Sequence, residues 1–463
     1  MSLFRVIFKQ KALLVILIAG LVLRLAFVFW GAKIYYGHDG HVNGDTFSYT
    51  QSFINWHEKG EYTFDLKNDD AHFGRLPGYP AFYGIHYVLF SEQNANAALS
   101  ITQAILDTLS IFLIYQIGLL LFRKEIFALA SAIVYAFNPF VIVWIPVVGS
   151  ESLATFITIL FFYLLLIKKN NHSKDILLGG VAAMAFYVRP YLGILTVSIV
   201  LYYFLGAGIT KSFFRHALLA AVTFLICYSA WPLRNYFNYN RVELLMPSTT
   251  GYDRYSADIV AARAWIYCWS PDADFYLDEI AQGRGSQNFP KELFSTSNEI
   301  STTDSLMHMA MQCGKGFRTW QYKTTDTVLC TDEVANKFNT LRQQYKNNFP
   351  IRYHFSVPLQ NLKKFFFKSS LTTHRSSSAM TKVLFGLRTV LIAVSLLGLI
   401  LFWRKEIAPI IFFVAFMLLF ICFYVRQLEM RYLLQAEVLL FIFSGPCIGF
   451  VLQKVFAETS HAE

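Results

Sequence analysis

Apolar positions along this chain fall into runs long enough to cross a hydrocarbon core, which takes roughly 20 helical residues. The runs cover residues 11–30, 99–122, 127–147, 153–167, 214–231, 383–403, 407–424 and 432–452. One further run, 176–205, is too long for a single crossing and is interrupted at Arg189 and Pro190. It reads as a hairpin of two short helices with "VRPY" at its turn. Two more polar intervals, about 31–96 and 232–382, separate these runs. The pattern predicts an all-α polytopic membrane protein in three parts. These are an N-terminal transmembrane module at 1–231 that includes the loop 31–96, an external segment at 232–382, and C-terminal membrane helices at 383–463.

The polar intervals have patterns of their own. "TFSYTQSFINWHEKG" places Phe47, Tyr49, Phe53, Ile54 and Trp56 at near-helical spacing and ends at Gly60, which predicts a short helix lying in the membrane interface. "PGYPAFYGIHYVLF" is aromatic but too short to span, so it predicts a second interfacial helix entered through a turn at Pro77, Gly78 and Pro80. In 232–382, turns at "SPDAD" and "GRGSQNFP" predict a mixed or mostly helical segment of short amphipathic pieces. No repeat of solenoid or propeller period is present, and the only low-complexity tract is "HRSSS".

With 55% hydrophobic and 15% charged residues and a mean hydropathy of +0.42, a wholly water-soluble protein is excluded. The net charge of +10 would suggest a nucleic-acid partner in a soluble chain. Here the basic residues cluster at the ends of apolar runs, so they report orientation and imply membrane lipids, with no nucleic acid, as surroundings. Placing Arg5, Lys9 and Lys11 in the cytoplasm puts Arg123 and Lys124, Lys168 and Lys169, Lys211 and Arg215, Arg404 and Lys405, and Lys454 on the same side, provided that 176–205 crosses twice. The result is about ten crossings with both termini inside. The bulky "VFWGAKIYY" after the first run predicts an uncleaved signal anchor. Cys227, Cys422 and Cys447 lie in apolar runs as small hydrophobes. Cys268, Cys313 and Cys330 fall in the external segment, where one disulfide is permitted; Cys313 with Cys330 is the simplest pair and Cys268 the rival.

This topology brings six charges to the outer face: Asp45, Arg75, Glu151, Arg189, Arg234 and Arg431. Asp45 in "NGDTFSYTQ" has two readings, an N-cap accepting the backbone N–H of Phe47 or Ser48 or a general base at the water–lipid boundary. Arg75 in "FGRLPGYP" suits bidentate phosphate binding or simple snorkelling. Glu151 in "VVGSESLATF" either answers the helix macrodipole or has a chemical task, since ionisable groups at that depth are costly without one. Arg189 sits at the hairpin turn, Arg234 where a helix exits after Pro232, and Arg431 beside Glu429 where the last run begins. Three other signals are weaker. "HDGH", His38 to His41, lacks a closed metal-ligand set; "NDD", Asn68 to Asp70, reads as a turn; Arg24, within the first run, must pair with protein or snorkel. No glycine loop for ATP or a dinucleotide is present, so the donor must arrive already activated. An outer-face site of this kind suits a lipid-linked phosphate donor, with no certain cofactor and a divalent metal possible.

The order of "GDTFSY", "GEY", "RLPGYP", "GSES", "VRPY", "WPLRNY" and "MRYLLQ" resembles the C-type (GT-C) glycosyltransferases, in the bacterial branch related to protein O-mannosyltransferases and lipid A aminoarabinose transferases. The resemblance covers about 13–255 and the final helices. It implies transfer of a sugar, with inversion, from a polyprenyl-phosphate donor to a cell-envelope glycan, lipid or protein on the periplasmic or extracytoplasmic face of a bacterial inner membrane. By the same resemblance Asp45 is the base, Glu151 the second acid, and Arg75, Arg189, Arg234 and Arg431 hold the donor phosphate. Relatives often carry an acid or histidine immediately before the prolines; this chain has Arg75 and Leu76, with His72 the nearest substitute. Two rivals remain: a glycan polymerase or ligase using a polyprenyl diphosphate donor, and a transporter or flippase. The long acidic external loop and the lack of mid-run charges beyond Arg24 argue against the last.

Overall fold

Runs of apolar residues without strand-like alternation make helices, and every regular element among the described residues is helical. The computed structural model describes residues 11–460 except 168–170, 247–255, 322–328 and 368–378. Arg5, Lys9, Lys168, Lys169 and "HRSSS" lie outside the described residues.

The first half comprises α1 (Lys11–Tyr36), α2 (Thr46–Lys59), α3 (Gly78–Phe122), α4 (Glu125–Ala136), α5 (Glu151–Leu166), α6 (His172–Val188), α7 (Pro190–Ala207) and α8 (Lys211–Tyr239). The external segment holds α9 (Ala257–Ile266), α10 (Ala273–Ala281), α11 (Ser297–Cys313), α12 (Lys315–Trp320), α13 (Thr331–Asn348) and α14 (Val357–Phe367). Four more helices close the chain: α15 (Ala379–Leu401), α16 (Lys405–Val425), α17 (Leu434–Phe441) and α18 (Ser444–Ser460). Seven helical stretches among the described residues are long and apolar enough to cross a membrane, while α4 and α5, of 12 and 16 residues, are apolar but shorter. The chain is a multi-pass membrane protein.

Helices form at both places where the aromatic spacing predicts them. Helix α2 stops at Gly60, whose φ of 76° is the left-handed conformation that glycine adopts without steric cost. Helix α3 is broken at Ser91 (φ 65°, ψ 165°), which separates its aromatic first part from its spanning part. The hairpin at 176–205 also forms. Tyr203 near the end of α7 and His216 near the start of α8 both bond the Asp175 carboxylate at the start of α6, so the turn at Arg189 lies at the opposite end.

Two expectations need correction. The run 127–147 is not one helix: α4 ends before Asn138, which caps a single turn at Pro139–Ile142 through a 3.0 Å bond to the Phe140 N–H. Proline cannot continue the helix, and the chain beyond it is irregular. Its carbonyls, buried but outside any helix, are satisfied by side chains from neighbouring helices. Gln103 donates to the carbonyls of Ile145 and Val147 at 2.8 and 2.9 Å, and Thr46 donates to that of Val148 at 2.9 Å. Nor is Arg24 alone within the apolar runs. It pairs with Asp107 at 2.6 Å, both 0–1% exposed, while Tyr135 donates to the other Asp107 oxygen at 2.5 Å. Arg388 grips both oxygens of Glu437 at 2.8 and 3.0 Å. These charges are packed in protein, with side chains 0–3% exposed.

The external segment has its own core, around Trp265, Ile266, Leu277, Phe317 and Phe338. Cys313 and Cys330 are joined by a disulfide there, and Cys268 is buried apart with its thiol toward the Ala264 carbonyl. Arg426, just past α16, ties this unit to the membrane part by donating to the Tyr353 carbonyl at 2.7 Å.

Candidate active site

The backbone around Asp45 is set by its neighbour. Asn43 Oδ1 accepts the N–H groups of Asp45 and Thr46 at 2.9 and 3.1 Å, an Asx turn that does the local capping. Asp45 occupies the position before α2, but its carboxylate makes no cap bond. The side chain turns instead to two arginines, Oδ1 accepting from Arg75 Nη2 at 3.0 Å and Oδ2 from Arg431 Nη1 at 2.5 Å. The cap reading of Asp45 is therefore replaced by an ion-paired one.

The arginines are held from several sides. Arg75 Nε donates to Ser48 Oγ at 2.7 Å, and its guanidinium lies over the Tyr49 ring at 4.3 Å. Tyr49 OH meets Ser150 Oγ at 3.0 Å, and Ser150 Oγ accepts from Arg189 Nε at 2.8 Å. Arg189, at the hairpin turn, reaches Glu151 Oε1 through Nη2 at 2.5 Å and Tyr191 OH through Nη1 at 3.0 Å. Arg431 closes the ring: Nη1 spans Asp45 and, at 3.5 Å, Glu151, while Nε bonds Glu429. Glu151 is 2% exposed at the first position of α5. A cavity of about 180 Å³ opens beside the ring, lined by Asp45, Tyr49, Arg75, Arg189, Arg431 and Tyr432 among others.

Burial on its own would raise the Asp45 carboxyl; the positive fields of Arg431, Arg75 and Arg189 and the bond from Arg431 outweigh it and bring the group down to about 2. In the resting arrangement Asp45 is a carboxylate whose proton affinity is suppressed by its partners.

Five of the six charges singled out in the sequence thus meet, and Arg234 does not. Its guanidinium donates to the carbonyls of His72 and Tyr62, both at 2.9 Å, and lies 4.7 Å from the Tyr239 ring centre. It clasps the end of α8 to the loop 60–77. His72 is turned toward this clasp, its ring 4.6 Å from that of Tyr239. Tyr49, Tyr191 and Tyr432 were missed as site residues. Each directly follows or lies within a quoted motif, "DTFSY", "RPY" and "RY", so adjacency to the charges was the available signal.

The ring does not fit a divalent cation as built. Both Asp45 oxygens and one oxygen each of Glu151 and Glu429 are committed to guanidinium groups. Among the described residues His172, Asp175 and His216 do gather with ligand atoms within 4.8 Å, but at the other end of the α6–α7 hairpin. His41, of "HDGH", donates from Nδ1 to the Pro146 carbonyl at 3.0 Å and joins no group of metal ligands among the described residues.

Residues 75–232 match the model of the family described as dolichyl-phosphate-mannose-protein mannosyltransferase. Among solved structures, the Archaeoglobus fulgidus oligosaccharyltransferase in the apo form aligns at TM-score 0.54 and 13% identity, over 98% of this chain and 52% of that one. The same protein tethered to an acceptor peptide containing the NVT sequon aligns at 0.53 and 13%, over 97% and 51%. ArnT from Cupriavidus metallidurans covers 91% of this chain and 76% of its own at 13% identity, with a TM-score of 0.36, too low to argue from. The chain spans about half the length of the oligosaccharyltransferase it matches. No curated protein matches it.

Proposed function

From a chain that carries the C-type glycosyltransferase fold, we infer a membrane glycosyltransferase that moves a sugar from a polyprenyl-phosphate donor to an acceptor hydroxyl on the extracytoplasmic face of a bacterial inner membrane. The observation that supports this most is the Asp45 carboxylate held between Arg75 and Arg431 at a cavity beside the outer ends of apolar helices. The donor's phosphate enters that cavity and takes over guanidinium N–H groups that the resting enzyme spends on Asp45. The carboxylate then loses the fields that suppress it and becomes a better base at the moment the substrate is bound. The acceptor oxygen forms its bond to the anomeric carbon as the bond from that carbon to the phosphate oxygen breaks, which inverts the centre. The acceptor proton passes to Asp45, and the electron pair of the broken bond stays on the polyprenyl phosphate, whose added charge is met by Arg75 and Arg431. Glu151, paired to Arg189, holds that arginine and Arg431 in place.

The test is transfer by the purified protein with polyprenyl-phosphate and polyprenyl-diphosphate sugars offered in parallel, the product anomer being read by NMR. Activity with the monophosphate donor and an inverted product is expected. Use of the diphosphate donor alone would favour a glycan polymerase or ligase. The sugar and acceptor follow from mass spectrometry of envelope glycans with and without the gene.

A further inference from the structure

Helix α5 begins at Glu151 beside Asp45 and ends at Leu166, about 24 Å away at 1.5 Å per residue. At that far end lies a second cavity of about 250 Å³, enclosed by the ends of α3, α5 and α7 and the starts of α8 and α16. Its wall is mostly apolar, with Leu120, Leu121, Leu166 and Phe213, interrupted by Ser212, His216 and two tyrosines; Arg123, Arg404 and Lys405 also line it, against a single acid, Glu406. By the orientation that the basic loops give, this is the cytoplasmic face.

These three are not an ordinary scatter of snorkelling cations. The three positive side chains come from two loops distant in sequence and share one hollow. Arg123 stands in a left-handed conformation, φ 57° and ψ 19°, where a helix end favours glycine. An arginine kept at such a position points to a use for its side chain. A mostly apolar wall set with cations, at the level where helices leave the membrane, matches an acyl–glycerol unit joined to a phosphate. A free phosphate ion would have no use for the apolar wall.

We propose that this cavity binds the phosphodiester headgroup of an anionic phospholipid of the cytoplasmic leaflet. The site is separate from the Asp45 ring and does not depend on the glycosyltransferase reading.

The experiment uses the full-length protein in neutral detergent, with thermal stability and native mass spectrometry read as phosphatidylglycerol, phosphatidylcholine or inorganic phosphate is added. Phosphatidylglycerol alone is expected to raise the melting temperature and to be retained in the gas phase. Each cation removed should weaken its apparent affinity about fivefold, in Arg123→Gly, Arg404→Gln and Lys405→Gln. Arg123→Gly suits the left-handed backbone, so its fold is expected to hold, which the melting temperature without lipid checks. Arg215→Gln, a basic residue of the same face outside the cavity lining, should bind as wild type. Equal protection by the two lipids, wild-type affinity in the cavity variants, or protection by inorganic phosphate as strong as by phosphatidylglycerol would each overturn the proposal.

Discussion

Two kinds of buried charge coexist in this molecule. Arg24 with Asp107 and Arg388 with Glu437 are closed pairs, almost fully excluded from solvent, whose arginines also donate to the carbonyls of Ala136 and Phe365. The Asp45 ring uses the same residue types differently: three arginines and three acids share partners, and the Asp45 side chain stays 33% exposed beside a cavity. A closed pair holds helices together, and even the Arg24 Nη2 that bonds nothing is shut away from any ligand by burial. An open ring holds its members in position while leaving donor groups that an incoming phosphate can claim.

The comparison breaks most visibly under truncation of one partner. Asp107→Asn strands a buried guanidinium and should cost about 3–5 kcal/mol of stability in unfolding from micelles, whereas replacing both members, Arg24→Met with Asp107→Leu, should recover most of it. Asp45→Asn should cost less than Asp107→Asn, about 1–2 kcal/mol, because the group is a third exposed and Arg431 keeps Glu429 and Glu151. A loss at Asp45 as large as that at Asp107 would mean that the two regions do not differ in kind.

The reverse holds for chemistry. Asp45→Asn removes the proposed base and should lower turnover about a hundredfold or more. Since the carboxylate caps nothing, Asp45→Ala should be no less stable than Asp45→Asn, and transfer near normal in either would sink the assignment. Acid titration sharpens this. The resting carboxyl is held at about 2 against an ordinary 3.8, so its contribution to stability is complete above the ordinary value and is lost as pH falls through about 2. If donor phosphate draws the arginines away, the acidic limb of kcat, which reports the donor complex, should lie at higher pH than the limb of kcat/KM, which reports the free enzyme. Coincident limbs would remove the coupling between phosphate binding and basicity.

Arg75→Ala should raise the donor KM about ten- to hundredfold, the range for losing hydrogen bonds to a charged group. Arg75→Lys should fall between, because an ammonium keeps the charge but not the bidentate fork or the stacking on Tyr49. Unchanged kinetics in Arg75→Ala would take this residue out of donor binding.

Much of this was legible from position. Glu151, Arg189 and Arg431 each stand at an end or break of an apolar run, Asp45 and Arg75 lie in the loop 31–96 between two runs, and a membrane gathers such positions at one level. The same logic names Arg234 and misplaces it, since depth in a bilayer says nothing about rotation around it. The tyrosines of the ring were hidden by abundance: in aromatic interfacial helices a ring against an arginine looks like its neighbours. Asp107, Arg388 and Glu437 were overlooked because one charge barely changes the mean of a long apolar run. The break at Asn138 and Pro139 could have been read from proline alone.

Arg234 supplies the smallest effect and the finest test of position against partnership. Its N–H groups are given to the carbonyls of His72 and Tyr62, and its charge rests among Tyr62, Trp231 and Tyr239. Arg234→Gln should therefore cost about 1–3 kcal/mol through lost bonds and cation–π contact and loosen the loop 60–77. Donor KM should stay within about twofold of wild type at temperatures where the variant is folded. A donor KM raised as far as in Arg75→Ala, with stability intact, would return Arg234 to the donor site and show that the substrate-bound ring is wider than the resting one.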